Sequence, residues 1–429
     1  MKTKTSIFAI LLAAGLTSSW AQDTWTRKAD FGGVAREGAT GLNIGSNGYI
    51  GLGAEYPISY KDFWEYDPNA NTWTQKADFG GPGRLYAVGF TIAGKAYVGT
   101  GQSGAFPNYT YYKDFWEYNP NLNTWSRKPD FGGTARYGAV GFSIDSKGYL
   151  GTGVDASLID KKDFWEFDPI QNIWTQKADF GGTERKWATG LTIGAKGYVG
   201  TGLDNNGVIY RDFWEFDPGV NTWSQKADFG GIARLVPASF SIGNKGYIGT
   251  GENENTTTLK DFWEFDPTTS TWSQKADFGG TGRNQAAGFS IGSKGYIGTG
   301  VGSSYKKDFW EYTPEETSIA IDIKPGTFPN NINPRAKGVI PVAILTTDTF
   351  DATTIDQTTV RFGPNGTEAA PVQSALEDVD GDGDTDMILH FKTQDTGIVC
   401  GDTFASLTGE TFGGQAIEGS DSVKTVGCK

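Results

Sequence analysis

The sequence predicts an all-β protein: a six-bladed β-propeller closed by its own N-terminal strand, followed by an Ig-like β-sandwich. Three observations carry this. The segment DFWEYDP at Asp62 recurs five more times with small changes, and its tryptophans (Trp64, Trp116, Trp165, Trp214, Trp263, Trp310) are spaced by 52, 49, 49, 49 and 47 residues. A second series, in segments such as NTWTQKADFGG, holds Trp25, Trp73, Trp125, Trp174, Trp223 and Trp272. Each unit reads as four short strands, and a four-strand unit with a period near 50 marks a propeller blade.

The elements follow in chain order. Lys2 and Lys4 precede an apolar run from Ile7 to Leu16, with Ser19 and Ala21 before a cut at Gln22. Residues 1–21 thus read as a secretory signal peptide, the run being too short to span a bilayer. Residues 22–314 then form the repeat region. In the unit after Arg84, AVGFTIAG alternates and turns at Gly94-Lys95 into AYVGTG. A loop leads to KDFWEYNP, and a turn at Asn119 to Asn123 leads to TWSRKPDFGG. Gly, Asn and Pro punctuate the strands, and no helical period appears. The first segment, from Thr24, is a fourth strand without its first three, and the last unit ends at Pro314 without a fourth. Pairing the two completes a sixth blade and removes exposed sheet edges.

These repeats resemble kelch repeats. The matching features are the Gly-containing end of the second strand, the W-x-[YF]-[DN]-P run, and the Trp soon after the turn. The resemblance implies a six-bladed kelch propeller over residues 22–314. One departure is Gly-Thr-Gly, as at Gly99 to Gly101, where the family carries a Gly-Gly doublet.

In a four-strand meander the loop between strands two and three lies at the same end as the link to the next blade. Each link reads FGG-x-x-R, with Arg36, Arg84, Arg136, Arg185, Arg234 and Arg283 before the innermost strands. The resemblance implies that such arginines contact a ligand, and an anion or carboxylate suits their fork of donors. The other role is structural: each Arg pairs with a repeat acid such as Glu65 or Asp67. Residues that break the sixfold pattern are better candidates for binding. Tyr86, Tyr137 and Trp187 follow the arginines, and the longest loop, Gln102 to Tyr112, holds Tyr109 and Tyr111. Aromatics beside Arg suit sugars or peptide side chains, or they cap the blades. The acids of DFWE[YF]DP do not read as a glycosidase pair. They recur in nearly every blade opposite a lysine (Lys76, Lys128, Lys177), so cross-strand ion pairs account for them.

Residues 315–429 contain strand-like runs such as SIAIDIKPG and GVIPVAILTT, separated by Gly, Asn and Asp turns. They hold eighteen acids against seven bases, which accounts for most of the net charge of -13 and argues against general affinity for nucleic acid. In EDVDGDGDTDM, the alternating Asp378, Asp380, Asp382, Asp384 and Asp386 suit a Ca²⁺ loop. Position 12 of an EF-hand is Leu389, so the run is closer to the shorter calcium loops of secreted β proteins; a solvated acidic turn is the alternative. Cys400 and Cys428 read as one disulfide, whose 29-residue loop stabilises by ~3–4 kcal/mol in the chain-entropy model.

Function follows by exclusion as much as by pattern. The chain has one histidine, His390, outside the repeats, so neither a His-ligated copper site nor a Ser-His-Asp triad fits in the propeller. The expected protein is secreted and non-enzymatic. Its loop face binds an extracellular glycan or protein, with no nucleic acid and no membrane insertion, and its C-terminal module is calcium-stabilised. The alternative is a kelch-type carbohydrate-active enzyme of the sialic-acid mutarotase kind, using Arg and Glu at the channel.

Overall fold

In a computed structural model, residues 23–105 and 107–428 are described, and the expected signal segment lies outside them. The described chain is almost wholly strand and turn, with two short 3₁₀ turns at Ala352–Thr354 and Thr393–Asp395. Six four-stranded antiparallel sheets follow one another along the repeats. The second is typical, with Val88–Ile92 innermost, then Lys95–Gly99, Phe115–Asn119 and Thr124–Lys128 outermost. The sixth takes its outer strand from the other end of the repeats. Thr24–Lys28 pairs with Phe309–Thr313, in register from Thr24 opposite Thr313 to Lys28 opposite Phe309.

The innermost strands touch in cyclic order, and Ala287–Ile291 of the sixth sheet returns to Thr40–Ile44 of the first. A cavity of about 360 Å³ is lined by all six of them. Alternation explains the packing. In Val88–Ile92, Val88, Phe90 and Ile92 are buried in the seam between sheets, while Gly89 and Thr91 face the cavity. Hydroxyls on that face bridge neighbours, as where Thr91 Oγ1 donates to Asn43 O and Ser241 Oγ to Thr192 O.

The tryptophans lock the seams. Each outer-strand indole packs on rings of the preceding sheet and donates to a carbonyl there. Trp125, for example, meets Phe63 and Phe79 edge-on and donates to Ala77 O at 3.0 Å. Trp25 does the same to the fifth sheet, donating to Ala276 O across the chain ends. The Gly-Thr-Gly departure also has a physical role. Thr100 is left-handed at φ 58°, and Gly101 N donates to Arg136 O of the next link at 2.8 Å. The same bond recurs around the ring, ending with Gly300 N to Arg36 O.

The C-terminal region is two four-stranded sheets facing across one apolar core. One contains Ile321–Ile323, Val339–Ile344, Gln373–Glu377 and Asp386–Lys392, and the other Thr317–Ser318, Ile355–Gly363, Phe404–Thr411 and Ala416–Ser422. Val342, Leu389 and Phe391 of the first meet Val360, Phe362 and Leu407 of the second, all fully buried. Cys400 and Cys428 form a disulfide, with Cα atoms 5.7 Å apart. His390 lies in the strand Asp386–Lys392, opposite Pro341 and Gln373. Among the described residues, no helix is long and apolar enough to cross a membrane.

Candidate functional site at the mouth of the ring

The arginines settle first. Arg36, Arg84, Arg185, Arg234 and Arg283 have no solvent exposure, and Arg136 has 1%. Each grips the Asp that opens the next DFW segment. Arg84 Nη1 lies 2.6 Å from Asp114 Oδ1 and Nη2 lies 2.8 Å from Oδ2. Its Nη1 and Nε also donate to Thr100 O and Pro82 O. The same fork joins Arg36 to Asp62, Arg136 to Asp163, Arg185 to Asp212, Arg234 to Asp261 and Arg283 to Asp308. The third-strand indole completes the unit, Trp116 Nε1 donating to Asp114 Oδ2 at 2.7 Å. Burial pushes the Asp114 carboxyl up, but the Arg84 fork and the Trp116 N–H outweigh it, and it lies below the ordinary Asp range.

This corrects the expectation in two ways. The partner acid is the Asp of DFW, and not Glu65 or Asp67. The six arginines also present no free fork to a ligand, so they staple the link to the strand it precedes. The FGG doublet is part of the same device. A side chain at Gly80 would meet the Trp116 ring at 2.5 Å, and one at Gly81 would meet Arg84 Nη2 at 2.8 Å. Some loop aromatics belong here too, since Tyr60, Tyr112 and Tyr210 stack on Arg36, Arg84 and Arg185 with the guanidinium carbon 4.3, 3.9 and 4.0 Å from the ring centre.

The repeated glutamates are occupied as well. Lys76, Lys128 and Lys177 pair with Glu65, Glu117 and Glu166 at 2.9, 2.8 and 3.2 Å. Tyr97 also donates to Glu117 at 2.8 Å. Burial raises Glu117, yet hydrogen bonds from Lys128, Lys95 and Tyr97 bring it below the ordinary Glu range.

The symmetry-breaking residues behave differently. Two positions after each arginine stand Gly38, Tyr86, Gly138, Trp187, Val236 and Gln285, and all six have left-handed backbone, with φ between 46° and 62°. Backbone bonds join them in ring order, including Tyr86 N to Gly38 O, Trp187 N to Gly138 O and Gln285 N to Val236 O. They sit directly before the innermost strands and so cap one end of the channel. Glycine suits this backbone, whereas Trp, Tyr, Gln and above all β-branched Val are strained in it. The repeated Thr100, Thr152, Thr201, Thr250 and Thr299 share this conformation, so what sets these positions apart is the change of side chain from blade to blade.

Here the structure brings five expected residues into one cluster. Tyr137 lies 5.8 Å from Tyr86, 6.1 Å from Trp187 and 5.4 Å from Tyr111, between ring centres. Tyr109 continues it, 6.4 Å from Tyr111 and 37% exposed. Trp187 lies back over Gly138, where an added side chain would meet its Cδ1 at 2.9 Å. Tyr86 reaches across the ring and its hydroxyl donates to Gln285 Oε1 at 2.6 Å. Burial holds the Tyr86 hydroxyl well above its ordinary value, and burial with the nearby Tyr111, Tyr109 and Asp160 pushes Tyr137 up to about 12.

The polar partners of this cluster are Gln102, Asp160, Lys186, Glu252 and Asn284; Lys186 and Asn284 stand directly after the arginines and Gln102 opens the longest loop, whereas sequence reasoning missed Asp160 and Glu252. Lys186 Nζ lies 3.2 Å from Asp160 Oδ1 and its ammonium lies over the Trp187 ring at 5.6 Å. Burial raises the Asp160 carboxyl, with Lys186 only partly opposing it, and burial alone raises Glu37. These residues also differ between repeats, and that difference was their only signal.

The acidic loop gathers three of its five expected ligands. Carboxylate oxygens of Asp378, Asp380 and Asp382 lie within 4.8 Å of one another. Asp384 and Asp386 are outside that group. Asp386 is 1% exposed and accepts from Thr346 N and Val379 N, so it anchors its strand. Asp380 is raised by loss of water and by the charges of Asp382, Asp386 and Asp378.

The C-terminal region touches the opposite end of the ring. Asn244, in the turn between the first two strands of the fifth sheet, donates its N–H to Gly413 O. A cleft of about 760 Å³ between the regions is lined by Lys245, Glu264, Lys275 and Phe412, among others. The aromatic mouth lies away from this contact.

No family model matches the chain, and no curated protein matches it. Among solved structures, that of YjhT is similar in fold, with 18% identity, a TM-score of 0.57, and coverage of 69% of this chain and 96% of YjhT.

Proposed function

We propose that this is a secreted, non-enzymatic binding protein. Residues 22–314 form a closed six-bladed propeller of kelch type that presents its aromatic mouth to an extracellular glycan or protein. Residues 315–429 form an Ig-like module that acts as a spacer or attachment unit. One observation carries the reading. The repeated Arg and Asp side chains are consumed by one another and the repeated Glu by Lys and Tyr, while Tyr86, Tyr109, Tyr111, Tyr137 and Trp187, which break the repeat, converge in one cluster, with Tyr86 and Trp187 on strained backbone. Glycan-array and pull-down screens test it, using the intact protein and its Tyr137→Ala and Trp187→Ala variants. Binding that both variants weaken is expected; a ligand bound equally well by both overturns the mouth as the site.

The enzyme alternative, a mutarotase-like activity on sialic acid, is separated by a proton-exchange assay on sialic-acid anomers. The present reading expects no acceleration. For the module, we propose that Asp378, Asp380 and Asp382 hold Ca²⁺, a hard cation that takes carboxylate oxygens. Calorimetry should show uptake at roughly millimolar calcium, the range of extracellular modules. No uptake there would contradict the site. Export predicts a mature N-terminus at Gln22, read by N-terminal sequencing.

A further inference from the structure

The mouth contains polar atoms that the fold leaves without partners. Gln102 Oε1, Asp160 Oδ2 and Asn284 Oδ1 are buried and make no hydrogen bond, and so is the indole N–H of Trp187. Gln102, Asp160 and Asn284 are only 7%, 5% and 6% exposed. A buried acceptor without a donor is expensive, and native structures keep few of them. Two of the three are fixed as acceptors by their other partners. Asn284 spends its amide N–H on Glu252, which turns Oδ1 away from that carboxylate, and Asp160 spends its other oxygen on Lys186.

The chemistry of a fitting ligand follows. It must bring several O–H or N–H donors to Gln102, Asp160 and Asn284, and an acceptor to Trp187. It must also lay apolar C–H surface against the Tyr86, Tyr137 and Trp187 rings. It should carry no negative charge, because the six repeat guanidiniums are engaged, the Lys186 ammonium is spent on Asp160 and Asn205, and the carboxylates of Glu37, Asp160 and Glu252 lie at or beside the mouth. Hydroxyl groups alternating with C–H faces are the chemistry of an uncharged sugar ring.

We propose that the mouth binds a neutral saccharide, with Asp160 and Asn284 accepting from its hydroxyls and Trp187 and Tyr137 stacking on its rings. This rests on the binding reading above and narrows it. The test uses the full mature chain on an array of neutral hexose and N-acetylhexosamine oligosaccharides, printed beside sialylated and uronic-acid oligosaccharides. Calorimetry on the best neutral probe follows for wild type, Asp160→Asn, Asn284→Ala and Trp187→Ala. The expected result is selective capture of neutral probes. Asp160→Asn and Asn284→Ala should each weaken binding about tenfold, and Trp187→Ala about a hundredfold, as for central aromatic contacts. Asp160→Asn keeps the side-chain shape, so it remains decisive if Trp187→Ala fails to fold. Capture of charged probes only, or neutral binding unchanged in Asp160→Asn and Asn284→Ala, would overturn the proposal. Capture of a protein through the mouth, with no saccharide bound, would overturn it and leave the binding reading intact. Capture of neither would overturn both.

Discussion

Two parts of the ring differ sharply: the sixfold staple and the mouth above it. At the staple, every unit carries the same Arg, Asp and Trp in the same geometry. At the mouth, two residues further along each link, the backbone is equally uniform but the side chains are Gly, Tyr, Gly, Trp, Val and Gln. A uniform side chain on uniform backbone is what a repeated joint requires. A varied side chain on uniform, strained backbone is what a joint does not require. The comparison teaches that in this molecule repetition marks architecture and its breakdown marks the mouth proposed to bind.

The largest expected effect tests the staple. Arg185→Ala leaves the Asp212 carboxylate half-buried without its fork, and breaking such a pair costs about 3–5 kcal/mol. Chemical denaturation should show that loss. A cost below about 1 kcal/mol, the range of an exposed ion pair, would break the distinction.

Acid separates the two parts next. Asp114, Asp163, Asp261 and Asp308 are held below the ordinary Asp value of 3.8 by their arginine forks and indole N–H groups, despite burial. Their contribution is present above 3.8 and is lost as pH falls through the lowered folded values. The Asp160 carboxyl is raised above 3.8, chiefly by burial, so it takes up its proton at a higher pH than the staples do. Ligand binding should therefore weaken on acidification while circular dichroism still reports an intact ring. Simultaneous loss of both would contradict the assignment of Asp160 to the mouth.

A smaller effect probes the strain itself. Val236 is left-handed at φ 46°, where a β-branched residue is badly placed. Val236→Gly should be neutral or stabilising by up to about 1 kcal/mol. The same change at Val140, 3% exposed in the seam between sheets, should cost several-fold more than that. Equal losses at both positions would contradict strain at Val236.

Much of the framework was legible in the sequence because it repeats. Tryptophan spacing placed the strands, and the incomplete segments at Thr24 and Pro314 foretold the pairing of Thr24–Lys28 with Phe309–Thr313. The staple partner was missed, although Asp62 and its equivalents precede every FW pair. Proximity along the strand drew attention to Glu65 and Asp67, whereas the bond depends on how the link folds beneath the loop. Tyr86, Tyr137 and Trp187 were visible as departures from the repeat. The left-handed backbone at Tyr86 and Trp187 was not, because Tyr, Trp, Val and Gln at that position carry no local mark of it. Asp160 was hidden for a different reason: an ordinary loop polar residue becomes notable only when burial leaves an oxygen without a donor.

The most direct test measures stability and binding together in Asp160→Asn and in Arg185→Ala, using the best neutral oligosaccharide from the array. The account predicts that Asp160→Asn weakens binding about tenfold with stability nearly unchanged, while Arg185→Ala loses several kcal/mol of stability. Full binding in Asp160→Asn, or an Arg185→Ala protein of normal stability that has lost the saccharide, would contradict it.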